Sequence, residues 1–187
     1  MYSAIRMGNI VNNVNKYGLN DYYCQYIYYY GRTIHMEPQD ENILQALQRD
    51  GRLSNQQLAT EIGMSASACW RRVRALEASG VITKYCALVD REKTGHMLSA
   101  ILYVSLERHD VHNVKAFVSS VQSRPEILEC LATTGDADYH LRVVTKDMQS
   151  YNRFLDDFLM RLAGVRQVRS NVVLKEIKMD VALPFSG

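Results

Sequence analysis

The sequence lacks the features that would assign it to a membrane or to the common catalytic folds. No stretch of about 18 apolar residues occurs, which excludes a conventional membrane-spanning helix. The first 35 residues have neither a basic start nor an apolar centre, so they do not read as a secretory leader. Charge of one sign is scarce too. A net +2 over 187 residues argues against a protein that coats nucleic acid with its whole surface, and confines any such surface to a local patch. The four cysteines, Cys24, Cys69, Cys86 and Cys130, form no Cys-x-x-Cys pair. Cys69 and Cys130 sit in apolar patterns, so they read as buried free thiols of a reducing cytoplasm. A Ser-His-Asp order, a phosphate-cradling glycine loop and a dinucleotide fingerprint are all missing. No cofactor, resident metal or catalytic residue is therefore expected, and with 47% hydrophobic residues the chain can build a proper core.

What is present centres on Ser54 to Gly80, which reads as two short helices joined by a tight turn. Ser54 takes the N-cap position with Gln57 three residues on, Leu58 and Ile62 share a face, and Gly63 supplies a left-handed stop. Ser65 caps a second helix that runs to Ser79, with Gly80 beyond it. At about 3.6 residues per turn, Cys69, Val73 and Leu76 fall on one side, and Ser67, Trp70, Arg71 and Arg74 on the opposite side. Between Met64 and Lys84 there are four basic residues and one acid, Glu77. Guanidinium forks match the acceptor pairs of a guanine edge or a phosphate, and hydroxyls near a helix N-terminus suit phosphate. Charged outer faces are common on amphipathic helices, so the context matters. Asp40 to Gly51 forms a further small helix with Ile43, Leu44 and Leu47 inward, and the β-rich run Val81 to Asp90 follows, so the unit reads as winged-helix-like. Ser65, Ser67, Trp70, Arg71 and Arg74 are the residues expected to contact double-stranded DNA.

The run from Asp40 to Leu88 resembles the DNA-binding half of the Lrp/AsnC (feast/famine) family of bacterial and archaeal transcription regulators. Asp40 with Ile43 and Leu44, Asp50-Gly51-Arg52, Leu58-Ala59, Cys69, Arg72-Val73, Leu76-Glu77 and Gly80-Val81-Ile82 carry the resemblance. It extends over nearly everything after Met36.

The second half alternates like a small α+β domain. Leu98 to Glu107 reads as a strand and Val111 to Gln122 as a helix with Val114, Phe117, Val118 and Val121 on one face. Two strands follow, split by Gly135-Asp136-Ala137, and then a helix from Met148 to Leu162. A last long strand runs from Val165 to Met179. The order βαββαβ predicts a ferredoxin-like sandwich with two helices on one face of an antiparallel sheet. The uncovered face favours a dimer. The resemblance implies a RAM or ACT-like effector domain that assembles from dimers towards octamers.

The expected fold is thus α+β, an N-terminal winged helix-turn-helix followed by a βαββαβ sandwich. Residues 36–95 form the DNA-binding unit with its connector, and 96–187 the effector-binding and oligomerisation unit. Residues 1–35 hold half of the twelve tyrosines between Tyr22 and Tyr30. They read as a poorly ordered extension or as upstream sequence from a misplaced start, a reading favoured over the alternative that these tyrosines form a stacking platform for bases.

Thr134, Gly135, Asp136, Asp138 and Tyr139 form the other suggestive group: two carboxylates, a glycine and a phenol could grip the ammonium and carboxylate of an amino acid. Hairpin turns favour Asp and Gly for conformational reasons alone. The resemblance tips the balance, because the family's matching loop lies between dimers and lines the effector pocket. It carries over to Gly135, Asp136 and Tyr139, while Ala137 stands where relatives often place an aromatic residue. Met148, Gln149 and Tyr151 join the candidates because they open the next helix. His109, Asp110 and His112 read as solvated rather than as a metal site. The resulting expectation is a cytoplasmic, nucleoid-associated regulator that binds DNA, itself and a small effector. The rivals are a ligand-independent nucleoid organiser and an enzyme with a regulatory ACT-like domain.

Overall fold

The structure is a computed structural model that describes residues 36–107 and 111–185. The tyrosine-rich extension, His109 and Asp110 lie outside the described residues. Of the described chain, everything up to Ala87 and from Asp180 onward forms one compact unit, and Leu88–Met179 forms the other.

Three helices make the first unit: α1 Pro38–Arg49, α2 Asn55–Glu61 and α3 Ala66–Ala78. Helix α1 begins two residues before Asp40 because Pro38 fits the first turn, where its ring fixes the helical φ and no N–H is needed. At α2 the Ser54 hydroxyl accepts the Gln57 N–H at 3.3 Å, and the Ser54 N–H donates to Gln57 Oε1 at 2.9 Å. This reciprocal cap satisfies two of the donors that a helix start leaves free. The turn into α3 is fixed by Gly63 at φ +71 and by the Met64 N–H reaching back to the Ala59 carbonyl at 2.9 Å, a Schellman closure that needs the left-handed residue.

The inward faces of the three helices then meet. Ile43, Leu44, Ala46, Leu58, Ala59, Cys69, Val73 and Leu76 form one core, with Ile82 and Phe185 packed against it. Arg72 is turned away from the exposed side of α3 and bonds Asp40 of α1 at 2.9 Å. The C-terminal stretch docks on α1: Gln48 Nε2 donates to the Leu183 carbonyl at 3.0 Å and Gln48 Oε1 accepts the Leu183 N–H at 2.6 Å. One expectation needs correcting. Residues 83–90 form no strand, because a strand needs a neighbour to complete its ladder and no other extended segment pairs with this one among the described residues.

The second unit has the element order β1 Leu98–Leu106, α4 Val111–Gln122, β2 Ile127–Ala132, β3 Tyr139–Thr145, α5 Met148–Asp157 and β4 Val165–Val172. The sheet runs β2-β3-β1-β4 with antiparallel neighbours, the arrangement of a ferredoxin-like sandwich. Leu98, Ala100, Leu102, Val104 and Leu106 of β1 and Tyr139, Leu141 and Val143 of β3 pack on Phe117, Val121, Tyr151 and Phe154 of the helices. The period of two sends Ile101, Tyr103, His140 and Arg142 to the other face.

Two elements are shorter than their sequence patterns suggest. Helix α5 ends at Asp157, and a 3-10 turn, Leu159–Arg161, follows. The break at Phe158 brings Leu159 fully into the core and leaves the Phe158 ring under the Arg124 guanidinium, 4.1 Å from its centroid. Strand β4 stops at Val172 because β1, its neighbour, begins at Leu98; the last bond is the Val173 N–H donating to the Ser99 carbonyl at 2.8 Å. Beyond it, Glu176 pairs with Arg142 and lies 3.5 Å from Arg91. No described helix is long and apolar enough to cross a membrane.

Candidate nucleic-acid interface

Helix α3 presents two chemically distinct sides, and packing decides which is which. Cys69, Val73 and Leu76 are buried, and burial pushes the Cys69 thiol pKa up, so it stays neutral; Cys130, expected to be buried as well, is exposed instead, because it lies on the edge strand β2. Ser65, Ser67, Trp70, Arg71 and Arg74 are all exposed. Ser65 caps the helix by accepting the Ala68 N–H at 3.3 Å, and its hydroxyl lies 3.4 Å from that of Ser67. Trp70 is 51% exposed, and the Arg74 guanidinium lies over its ring, 5.8 Å from the centroid. The Arg74 side chain, 67% exposed, also bonds Glu77 at 3.4 Å. The result is a ridge with two hydroxyls, two guanidinium groups and an aromatic plate on the solvent side of a helix whose back is clamped to α1 by the Arg72–Asp40 pair. That ridge has the size and donor chemistry to enter a major groove. Sequence reading missed Tyr85. Its hydroxyl donates to Glu77 Oε1 at 3.2 Å, and only the fold brings it back to α3.

The second candidate group does not come together within one chain. Thr134, Gly135 and Asp136 are exposed at the tip of the β2–β3 connection. This connection is longer than the three-residue turn expected, spanning residues 133–138 and closed by the Thr133 N–H to the Asp138 carbonyl at 3.0 Å. Gly135 has no positive φ, and a Cβ there would have open space around it, so this turn does not require glycine for backbone reasons. Ala137 is buried and Asp138 is engaged: its carboxylate accepts the Leu106 N–H at 2.7 Å. Tyr139 is buried with its ring 4.8 Å from Phe117.

Met148 and Gln149 open α5 beyond the far end of β3, roughly 20 Å from the turn at about 3.4 Å per strand residue. Both are exposed. The N-terminus of α5 is already capped, because the Asp147 carboxylate accepts the Ser150 N–H at 2.7 Å, and that bond holds its pKa below the usual carboxylate value. Tyr151 is a core residue whose hydroxyl bonds Ser170. Burial pushes its pKa up, partly offset by Ser170. The described residues hold no cluster of His, Cys, Asp or Glu suited to a metal ion.

Comparison with known proteins finds one family match in each half of the chain. Residues 36–83 match the family profile described as winged helix-turn-helix DNA-binding, and residues 99–183 match the Lrp/AsnC ligand binding domain. The transcriptional regulator AzlB of Bacillus subtilis is 34% identical over 152 residues, covering 81% of this chain and 97% of the relative. The leucine-responsive regulatory protein of Klebsiella pneumoniae is 40% identical over 141 residues, covering 75% and 86%. Among solved structures, a Neisseria meningitidis transcriptional regulator in complex with L-Met superposes with a TM-score of 0.76 at 37% identity, covering 80% of this chain and 97% of that one.

Proposed function

This chain belongs to the Lrp/AsnC family of transcription regulators, and we propose that it reads duplex DNA sequence-specifically through α3 while its C-terminal unit assembles copies of the chain and responds to an amino acid. It is a regulator rather than an enzyme, with a helix-turn-helix for DNA and an Lrp/AsnC ligand-binding domain. The observation that carries the DNA reading is the exposed ridge of Ser65, Ser67, Trp70, Arg71 and Arg74 on a helix fixed from behind. A dimer would offer two such helices to half-sites about one helical turn or a multiple apart, roughly 34 Å per turn.

Assembly is supported by the second unit. Strand β2 is an edge strand with Leu128 and Leu131 exposed, and Leu174 beyond β4 is almost fully exposed. Unpaired apolar edges of this kind are templates for a second copy. For the effector, the Neisseria relative was solved with L-Met, and the exposed Thr134-Gly135-Asp136 tip offers backbone N–H groups and a carboxylate to a zwitterion. Because one chain separates this tip from Met148 and Gln149, a pocket using both draws them from different copies.

The effector then acts through linkage, and its leverage is limited to its differential affinity for the assemblies it discriminates. Selection of bound fragments from a random duplex pool, with and without each of the common amino acids, tests both halves. A single enriched motif whose recovery changes with one amino acid supports the proposal. Enrichment without any amino-acid dependence leaves a ligand-independent DNA binder, and no enrichment overturns the sequence-specific reading.

A further inference from the structure

Arg74 carries an exposed guanidinium on the α3 ridge, yet it is not free to wander. The ring of Trp70, one turn earlier, lies beneath it at 5.8 Å, and Glu77 Oε2 accepts from its Nη1 at 3.4 Å. The other carboxylate oxygen, Oε1, accepts from the Tyr85 hydroxyl at 3.2 Å. Tyr85 comes from outside the helix. Its ring rests beside Gly51, where a Cβ would stand 3.6 Å from Tyr85 Cδ1, so the loop between α1 and α2 seats the ring that steers Glu77. Four side chains from two segments therefore form a chain of contacts ending at a solvent-facing guanidinium.

Stability does not explain this arrangement. Exposed ion pairs of this kind contribute little, and an acid on a surface that meets a polyanion is unfavourable by charge alone. A carboxylate occupied at both oxygens by protein donors can, however, hold an arginine in one orientation. A free arginine side chain samples many rotamers and loses that freedom on binding, whereas a pre-oriented one has less to lose and presents its planar fork. Burial, and after it the Glu77 bond and charge, push the Tyr85 pKa up, so its hydroxyl stays protonated and available as the donor.

We propose that Tyr85 is a specificity-positioning residue: through Glu77 it fixes the Arg74 guanidinium over Trp70 before DNA arrives, so that Arg74 meets the groove as an oriented donor fork and not as a mobile point charge. This inference rests on the reading of the α3 ridge as the DNA surface.

The test uses the full chain and two probes, the duplex that the wild-type chain enriches most from a random-sequence pool and an unselected duplex of the same length. Tyr85→Phe keeps the ring beside Gly51 and removes only the hydroxyl. Its affinity for the enriched duplex should fall by roughly three- to tenfold, the range of one disturbed directional contact, while its affinity for the unselected duplex and its salt dependence stay unchanged. Glu77→Gln, which weakens the same link from its other end, should lower the ratio of the two affinities in the same direction. In an Arg74→Ala background Tyr85→Phe should have no further effect, a coupling that a merely structural tyrosine would not show. Equal loss on both duplexes, or the same loss with and without Arg74, overturns the inference and leaves the groove reading standing. If Arg74→Ala itself binds both duplexes as the wild type does, the groove reading of Arg74 fails, and the positioning role fails with it.

Discussion

Replacing Asp138 with alanine should unfold the C-terminal unit at a distinctly lower temperature, although the residue stands in a turn. Strand β3 begins at Tyr139, opposite Val104, so that end of the ladder stops there while β1 continues to Leu106. Asp138 extends the ladder past that end: its N–H donates to the Val104 carbonyl at 3.0 Å and its carboxylate accepts the Leu106 N–H at 2.7 Å. On the opposite edge the β1–β4 register shifts between Ser105 and Leu106, so the Asp138 carboxylate supplies an acceptor where the ladder is irregular. Leu106 is only 4% exposed, so water cannot replace it. A hydrogen bond to a charged acceptor, with a buried N–H left unsatisfied when it is removed, corresponds to about 2 kcal/mol. In a unit of this size that lowers Tm by roughly 10 °C. Differential scanning calorimetry on the full chain should show this loss for Asp138→Ala and a smaller one for Asp138→Asn, whose amide oxygen still accepts. Asp136→Ala removes an exposed carboxylate with no bond to a described residue, so it should leave Tm unchanged while weakening the amino-acid response. The reasoning is refuted if Asp138→Ala melts like the wild type, or if Asp136→Ala is the destabilised variant.

Gly135→Ala should fold with unchanged Tm, since φ is ordinary there and the added methyl meets open space; a loss of amino-acid response in calorimetric titration then reports a ligand that needs the room. Gly164→Ala should be destabilised by about 2–4 kcal/mol, because Gly164 has φ +83 and its Cβ would lie 2.7 Å from that of Asn113, which chemical denaturation of the variant would measure. The lowered pKa of Asp147 contributes stability that is present above the ordinary carboxylate value and is lost as pH falls through the depressed one; Tm measured against pH should show the acid limb of the C-terminal unit diminish in Asp147→Ala. Arg71→Ala should weaken binding to the enriched duplex by about 1–3 kcal/mol and relax one position of its motif if Arg71 reads a base. Uniform loss on all duplexes would make Arg71 a phosphate contact instead.

The features legible in the sequence are those fixed by neighbours within one turn or one strand. Ser54 with Gln57, Gly63, Ser65 and the division of α3 into a Cys69-Val73-Leu76 side and a Trp70-Arg71-Arg74 side all depend on separations of a few residues, where backbone geometry alone sets the relation. The βαββαβ order was legible for the same reason, as each element carries its own period. Where β4 stops was not, because its end is set by where β1 begins, some seventy positions away. The break at Phe158 likewise depends on Arg124 and on the core that receives Leu159. In the turn, Asp136 and Asp138 look equivalent as letters. Only the fold shows one carboxylate exposed and the other holding the end of β1, with a partner 32 residues away. Tyr85 escaped for a similar reason: its partner Glu77 lies on the helix before it, and its seat is Gly51, before α2.

These separations also constrain how a ligand signal can arise. Strand β3 keeps the exposed Thr134-Gly135-Asp136 tip and the exposed Met148-Gln149 pair at opposite ends, and the α5 N-terminus is occupied by its own Asp147. An amino acid is far shorter than the roughly 20 Å between them. On the proposed reading, a ligand that touches both groups must therefore bridge two copies, and its binding is linked to their association by mass action. A tenfold preference of the ligand for the bridged state shifts assembly by about 1.4 kcal/mol, and the assembly shifts the ligand by the same amount. Titrating the amino acid at several protein concentrations separates the two cases. A bridging ligand binds more tightly as protein concentration rises through the assembly midpoint, whereas a ligand held within one chain shows one affinity throughout.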